Sequence, residues 1–200
     1  MQIASGKGLT DQPARAVFLV GFMGAGKTSV GRDLARRLDW TFEDLDDRVV
    51  QREGRSIAEI FRDLGEPAFR QAEHAALQDV LEESRLGIAK VIALGGGAFA
   101  QSENSALLRS AGVATVFLTA PIAELWDRCG RQAAEEGLER PLLQSMQQFQ
   151  ALYESRKRAY SQASTTIETS GRTISEISAA IAQTLKLKRR TVRAGQGERQ

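Results

Sequence analysis

The chain is poor in the residues that anchor extracellular folds and metal sites: among 200 residues there is one cysteine and one histidine. A lone thiol, Cys129, closes no internal disulfide, so the fold must be held by its core, as suits a reducing compartment. Cys129 also ends the stripe Ile122, Leu125, Trp126, Cys129, where a small buried hydrophobe fits better than a nucleophile. His74, mid-helix beside Glu73, supports neither a zinc cluster nor a Ser-His-Asp triad, and it is assigned no role. Long apolar runs are missing too. None approaches 18 residues, and the N-terminal stretch MQIASGKGLTDQPARA has no secretory apolar segment, so a soluble cytoplasmic protein with no membrane partner is expected. Charge of one sign is equally lacking: 27 Lys and Arg against 25 Asp and Glu leave a net +2, which gives little reason to invoke nucleic acid. With 42% hydrophobic residues and no internal break, one packed domain is expected, working as a monomer.

What is present is concentrated at Gly21 to Thr28, GFMGAGKT, a complete G-x-x-x-x-G-K-[ST] Walker A loop. Its setting suits a phosphate cradle. The loop leaves an apolar strand, Ala16 to Val20, and enters a helix whose Val30, Leu34 and Leu38 form one buried stripe while Arg32, Asp33, Arg36 and Arg37 stay in water. Backbone N–H groups and the positive end of that helix then face one anion, and a nucleoside triphosphate is the expected ligand. Gly24, Ala25, Gly26, Lys27, Thr28 and Ser29 would hold it, Lys27 reaching the β and γ phosphates and the Thr28 hydroxyl meeting Mg²⁺.

Further along, strand and helix signals alternate. A strand is expected at Trp40 to Glu43, then the acidic turn DLDD and a helix ending near Glu53 before Gly54. Ser56 with Glu59 makes a capping box that opens the next helix through Phe61 and Leu64. Gly65 and Pro67 interrupt it, and a long helix to about Ser84 carries Phe69, Ala72, Ala76 and Val80 on one face. Val91 to Leu94 reads as a buried parallel strand that opens into Gly95, Gly96 and Gly97. A helix near Ser102 to Ser110, a strand at Ala114 to Thr119 and a helix from Pro121 to about Arg131 follow. The polar stretch Gln132 to Glu139 is expected to be mobile, part of a lid spanning about 130–142. A helix from Ser145 to Gln162, a strand at Thr165 to Glu168 and a helix from Ile174 to Leu187 complete the pattern. The alternation implies an α/β fold, a three-layer α/β/α arrangement on a five-stranded parallel sheet, with ligands at the carboxyl ends of the strands. Residues 16–187 form the expected domain, preceded by a flexible segment (1–15) and followed by a disordered basic tail (188–200).

Phosphoryl transfer needs a metal holder, cations for the transferring charge and a group that positions the nucleophile. Asp44, ending the second strand, can support Mg²⁺ directly or through water. Asp46 can accept a hydrogen bond from an acceptor hydroxyl; Asp47 competes with it, and both also suit a solvated helix N-terminus. Arg156 falls on the stripe Phe149, Leu152, Tyr153, Tyr160, where an apolar residue would be expected. An inward cation needs an anion, either a structural carboxylate or a carboxylate-bearing substrate gripped in bidentate fashion. Arg70 is either a substrate cation or the partner of Glu73 in an i,i+3 pair. Arg140, just before Pro141, is either a lid arginine or an ordinary loop cation.

Together these residues resemble the shikimate kinase family, in the nucleoside-monophosphate-kinase-like branch of P-loop folds. The resemblance rests on GFMGAGKTSVGR, the D-x-D of Asp44 and Asp46, GRSIAEIF with GEPAFR, the LGGGA around Gly96, ERPLL, and the R-x-x-x-Y of Arg156 and Tyr160, in the family's order from about residue 16 to 187. It implies ATP-dependent phosphorylation of the shikimate 3-hydroxyl on the way to chorismate and the aromatic amino acids, with Mg²⁺ and with ATP as co-substrate. By matching position, Asp46, Arg70, Gly95, Gly96, Gly97 and Arg156 would bind shikimate. The arginines would face its carboxylate, and Asp46 would orient or deprotonate the hydroxyl. Arg140 would stabilise phosphoryl charge, Arg128 would lie against adenine, and Lys27, Asp46 and Arg140 would carry the catalysis. The chain departs from the pattern in two places. Leu94 precedes the triple glycine where many relatives have threonine, which removes a hydroxyl from the metal surroundings, and the lid stretch QAAEEGLE is longer than usual.

Overall fold

The computed structural model describes residues 15–136 and 145–189. Five strands, β1 (Ala16–Val20), β2 (Thr41–Asp44), β3 (Lys90–Ala93), β4 (Ala114–Thr119) and β5 (Thr165–Glu168), form one sheet in the order β2-β3-β1-β4-β5. Every pairing is parallel. Among the described residues seven α-helices connect and cover them: α1 (Lys27–Leu38), α2 (Leu45–Glu53), α3 (Ile57–Arg85), α4 (Ser102–Ser110), α5 (Ile122–Glu136), α6 (Met146–Tyr160) and α7 (Ile174–Thr184). The position of each strand explains its composition. Central β1 and β3 are buried along their whole length, whereas the edge strands TFED and TTIE keep polar residues toward water.

Because β1 sends its helix toward β2 while β4 and β5 lie on its other side, the loops after β1, β2 and β3 open side by side at the carboxyl ends of neighbouring strands. Those loops are the Walker loop, the acidic turn and the triple glycine. The expected interruption of α3 is observed: Gly65 takes φ 81° and ψ 172°, and Pro67 enters the first turn of the segment that follows. The Ser56–Glu59 capping box closes as expected, and a second, Thr173 with Glu176, opens α7.

β3 lies one residue early, at Lys90–Ala93 rather than Val91 to Leu94, and α6 is trimmed to Met146–Tyr160 from Ser145 to Gln162. Three other boundaries that differ from the sequence expectation have a local cause. β2 begins at Thr41, because the Trp40 N–H closes onto the Ala35 carbonyl at the end of α1. α7 ends at Thr184, where the N–H of Leu185 turns back to Ile181. The third matters most for the site: α5 continues to Glu136, so residues 132–136 of the expected mobile segment are helical. Glutamate and alanine are good helix formers, and a polar helix end extending past the core needs no apolar stripe.

Below the site, Lys90 is buried at the start of β3. Its ammonium meets Glu43 on β2 at 2.5 Å and Glu83 on α3, and Arg48 on α2 bridges the same two carboxylates. The cluster joins two strands and two helices under the acidic turn. Lys90→Ala leaves the half-buried Glu43 and Glu83 to Arg48 alone and is expected to cost about 2 kcal/mol, read from chemical denaturation. Hydrogen bonds from Lys90 and then Arg48 hold the Glu83 carboxyl below its ordinary range. Its share of stability is present above that range and is lost as pH falls through the depressed value.

Candidate active site

The Walker loop is shaped by Gly26, which takes φ 85° at the N-cap of α1 with no side chain capping the helix. The first-turn N–H groups are thereby left to a ligand. Gly24, Gly26, Lys27, Thr28 and Ser29 line one side of a pocket of ≈ 940 Å³. Ala25 is buried, and its N–H is engaged by the Phe22 carbonyl within the loop. Lys27 lies along the loop, donating to the Gly21 and Phe22 carbonyls at 3.0 and 3.1 Å. Burial lowers its pKa, against the opposing pull of Asp44 and Asp46.

Asp44 faces two ways at the end of β2. One carboxylate oxygen accepts from the Thr28 hydroxyl at 3.1 Å and the other caps α2 by accepting from the Asp46 N–H at 3.2 Å. Asp46 is therefore held at the first turn of α2 and reaches the pocket, while Asp47 is exposed and does not line it. The two carboxylates are separated by geometry where composition left them equivalent. Burial, then the charge of Asp44, raises the pKa of Asp46.

The triple glycine receives one functional side chain at each position. A Cβ on Gly95 would stand 2.6 Å from Asp46 Oδ1, on Gly96 3.4 Å from an Arg156 nitrogen, and on Gly97 2.9 Å from an Arg70 nitrogen. Residues from α2, α3 and α6 thus converge on three consecutive backbone units, and at Gly95 and Gly97 a side chain would force Asp46 or Arg70 back.

Arg70 makes the expected ion pair and also reaches the pocket. It pairs with Glu73 and Glu66 at 3.0 Å each while lining the pocket. Glu73 is only 1% exposed, and burial raises its pKa against the pull of Arg70. Arg156 is different. It lines the pocket half-buried, and among the described residues no carboxylate closes an ion pair with it. Its neighbour Tyr160 is buried, donates its hydroxyl hydrogen to the Gly96 carbonyl, and has its pKa pushed up to about 12 by burial.

Arg128 lines the Walker side of the pocket, tied to Glu124 at 2.6 Å, to the Thr169 hydroxyl at 2.9 Å and carbonyl at 3.1 Å, and to the Gly24 carbonyl at 3.5 Å. Both terminal nitrogens of the guanidinium are thus engaged by protein acceptors. Arg140 lies outside the described residues. Two contributors were not singled out from the sequence. Phe61 and Phe69, with ring centroids 4.7 Å apart, form an apolar wall beside Arg70. Glu73, considered only as an ion-pair partner, sits four residues after Phe69 on the buried face of α3, and that spacing was a usable signal.

A Walker cradle facing a second subsite of carboxylate, guanidinium and bare backbone, at the carboxyl ends of a parallel sheet, defines a P-loop kinase of small molecules. Comparison with known proteins agrees. The family model for shikimate kinase matches residues 23–186. Curated shikimate kinases of Geobacter metallireducens and Streptomyces coelicolor are 42% and 40% identical over 84% and 88% of this chain, covering 89% and 98% of their own lengths. A shikimate kinase from Acinetobacter baumannii, solved in complex with shikimate, superposes with a TM-score of 0.75 at 34% identity, over 86% of this chain and 93% of that one. The chain belongs to the shikimate kinase family.

Proposed function

We propose that this chain transfers the γ-phosphate of ATP to the 3-hydroxyl of shikimate, giving shikimate 3-phosphate and ADP. The observation that carries the reading is the convergence of Asp46, Arg156 and Arg70 on Gly95, Gly96 and Gly97, across one pocket from the Walker lysine. The acceptor has both a carboxylate and hydroxyls. Arg156, which has no carboxylate in ion-pair contact among the described residues, and Arg70 grip the former, and Asp46 accepts the proton of the 3-hydroxyl or holds it in line. Phe61 and Phe69 exclude water along the carbon ring.

On the donor side, Gly24, Ala25, Gly26, Lys27, Thr28 and Ser29 hold the phosphates, with Lys27 leaving its own loop carbonyls for theirs. Arg128 lies against adenine. By its place in ERPLL, Arg140 balances charge on the transferring phosphoryl group. The Thr28 hydroxyl and the Asp44 carboxylate, 3.1 Å apart on the pocket wall, are hard oxygen donors that fit Mg²⁺, and Leu94 adds none. When bound there, the ion neutralises charge building on the β and γ phosphates. Residues 16–187 form the working unit, acting as a cytoplasmic monomer. Among the described residues no helix is long and apolar enough to cross a membrane.

ADP release coupled to an indicator reaction, with shikimate, gluconate or no acceptor, tests the assignment. Turnover with shikimate alone is expected; turnover only with gluconate, or without any acceptor, overturns it. The gluconate arm is informative because a gluconokinase from Sinorhizobium meliloti shares the fold at a TM-score of 0.53 with 19% identity.

The glycine loop offers a sharper local test. Gly97→Ala puts a methyl group 2.9 Å from the Arg70 guanidinium, which must withdraw from the loop. The KM for shikimate should rise about tenfold, the loss of one charge-assisted contact, while the KM for ATP stays put. Steady-state kinetics with each substrate varied in turn checks both halves.

A further inference from the structure

His74, given no task by its sequence context, sits half-buried on α3, one residue past Glu73. Its Nδ1 lies 2.7 Å from Oδ1 of Asn104 on α4. Asn104 is 2% exposed, and its Nδ2 donates to the Ala98 carbonyl at 3.1 Å. The amide uses its donor end on Ala98, so its oxygen faces the ring and Nδ1 must carry the hydrogen. Ala98 belongs to the short turn that closes the triple-glycine loop. Its N–H donates to the Gly95 carbonyl at 3.1 Å, Ala100 N–H to Gly97 at 3.1 Å, and Gln101 N–H back to Ala98 at 3.3 Å.

We propose that His74 is a positioning residue for the acceptor: through Asn104 it fixes the triple-glycine loop in the one register with α3 that brings Gly97 against Arg70. α3 carries Arg70 and His74 four residues apart, so the Arg70 approach to Gly97 and the His74–Asn104–Ala98 chain are two attachments of one helix to one loop. The first is a close approach, since a Cβ on Gly97 would stand 2.9 Å from the guanidinium and push it back. The second sets where the loop stands. Neither His74 nor Asn104 lines the pocket, so the effect reaches the acceptor only through the loop. The inference rests on the proposed function only in taking this loop as the acceptor side.

Three variants separate positioning from mere packing. His74→Leu removes the donor. His74→Asn places an amide N–H where Nδ1 stands. His74→Asp offers an acceptor to Asn104 Oδ1 and turns the amide away from Ala98. In the Leu and Asp variants the KM for shikimate should rise about five- to tenfold, with kcat and the KM for ATP within about twofold of the parent, and His74→Asn should restore the parent value. Amide hydrogen exchange at Ala98, Ala100 and Gln101, measured without substrate, should quicken in the Leu and Asp variants only. Unchanged exchange at those amides, an equal rise in both KM values, or an Asn variant no better than the Asp variant would overturn the proposal. Should the parent fail to phosphorylate shikimate, the functional reading falls while the exchange measurement still decides the role of His74; should the Leu variant not fold, the Asn and Asp pair decides it.

Discussion

Arg156→Ala is expected to raise the KM for shikimate about 30-fold or more with a much smaller change in kcat, because a desolvated guanidinium–carboxylate contact contributes roughly 2 to 5 kcal/mol. The expectation follows from what surrounds the residue. Arg156 lies inward on α6 beside Gly96 and Tyr160, and among the described residues it feels Glu73 only at a distance, with no carboxylate in direct ion-pair contact. With the proposed shikimate carboxylate as its counter-ion, binding lost in ground and transition states alike appears in KM. Arg70→Ala should have the smaller effect on the same constant, since Glu66 and Glu73 already balance that guanidinium. Arg156→Lys should recover little, an ammonium being unable to match a carboxylate in bidentate fashion. Equal effects of the two alanine variants, or an unchanged KM for Arg156→Ala, would remove Arg156 from the substrate contacts.

Asp46→Asn is expected to lower kcat by about 10²- to 10⁴-fold, the range for a positioned acid–base group, while ATP binding measured by titration stays nearly intact. The pKa of Asp46 is raised by burial and by Asp44, and the useful form is the carboxylate. Activity of the parent should therefore fall as pH drops through that raised value, above the ordinary carboxylate range, and the Asn variant should lose this limb. Stability should move the other way. A raised pKa means that the fold favours the neutral acid: relative to the unfolded chain, stability is full below the unfolded pKa and declines as pH rises through the folded one. Asn, neutral throughout, escapes that decline, so the variant should melt higher than the parent at neutral pH and equal to it in acid. A variant both inactive and less stable at neutral pH would point to a structural role for Asp46. Retained turnover would move the acceptor role elsewhere.

Much of the site was legible because local rules suffice for it. The Walker loop carries its own geometry, and the stripe of α6 put Arg156 inward before any coordinates did. The break at Gly65 and Pro67 followed from backbone chemistry alone. Other features resisted for physical reasons. The run of α5 to Glu136 is a polar helix with no apolar period to announce it, so a lid expected from residue 130 is helical to 136, and its remainder, with Arg140, lies outside the described residues. Asp46 and Asp47 look alike in sequence, and a difference of one residue on a helix turns one to the pocket and the other to water.

The sequence by itself determined the alternation of five strands and their covering helices, the phosphate cradle and the residue types that face it, because periodicity, caps and glycine act within a few residues. Only the tertiary structure decided the partnerships. Gly95 with Asp46, Gly96 with Arg156, Gly97 with Arg70, and His74 with Asn104 join segments 27 to 60 positions apart in the chain. Such contacts are set by the order β2-β3-β1-β4-β5 found among the described residues and by how far each helix reaches across it, and packing of that range leaves no local mark in the chain.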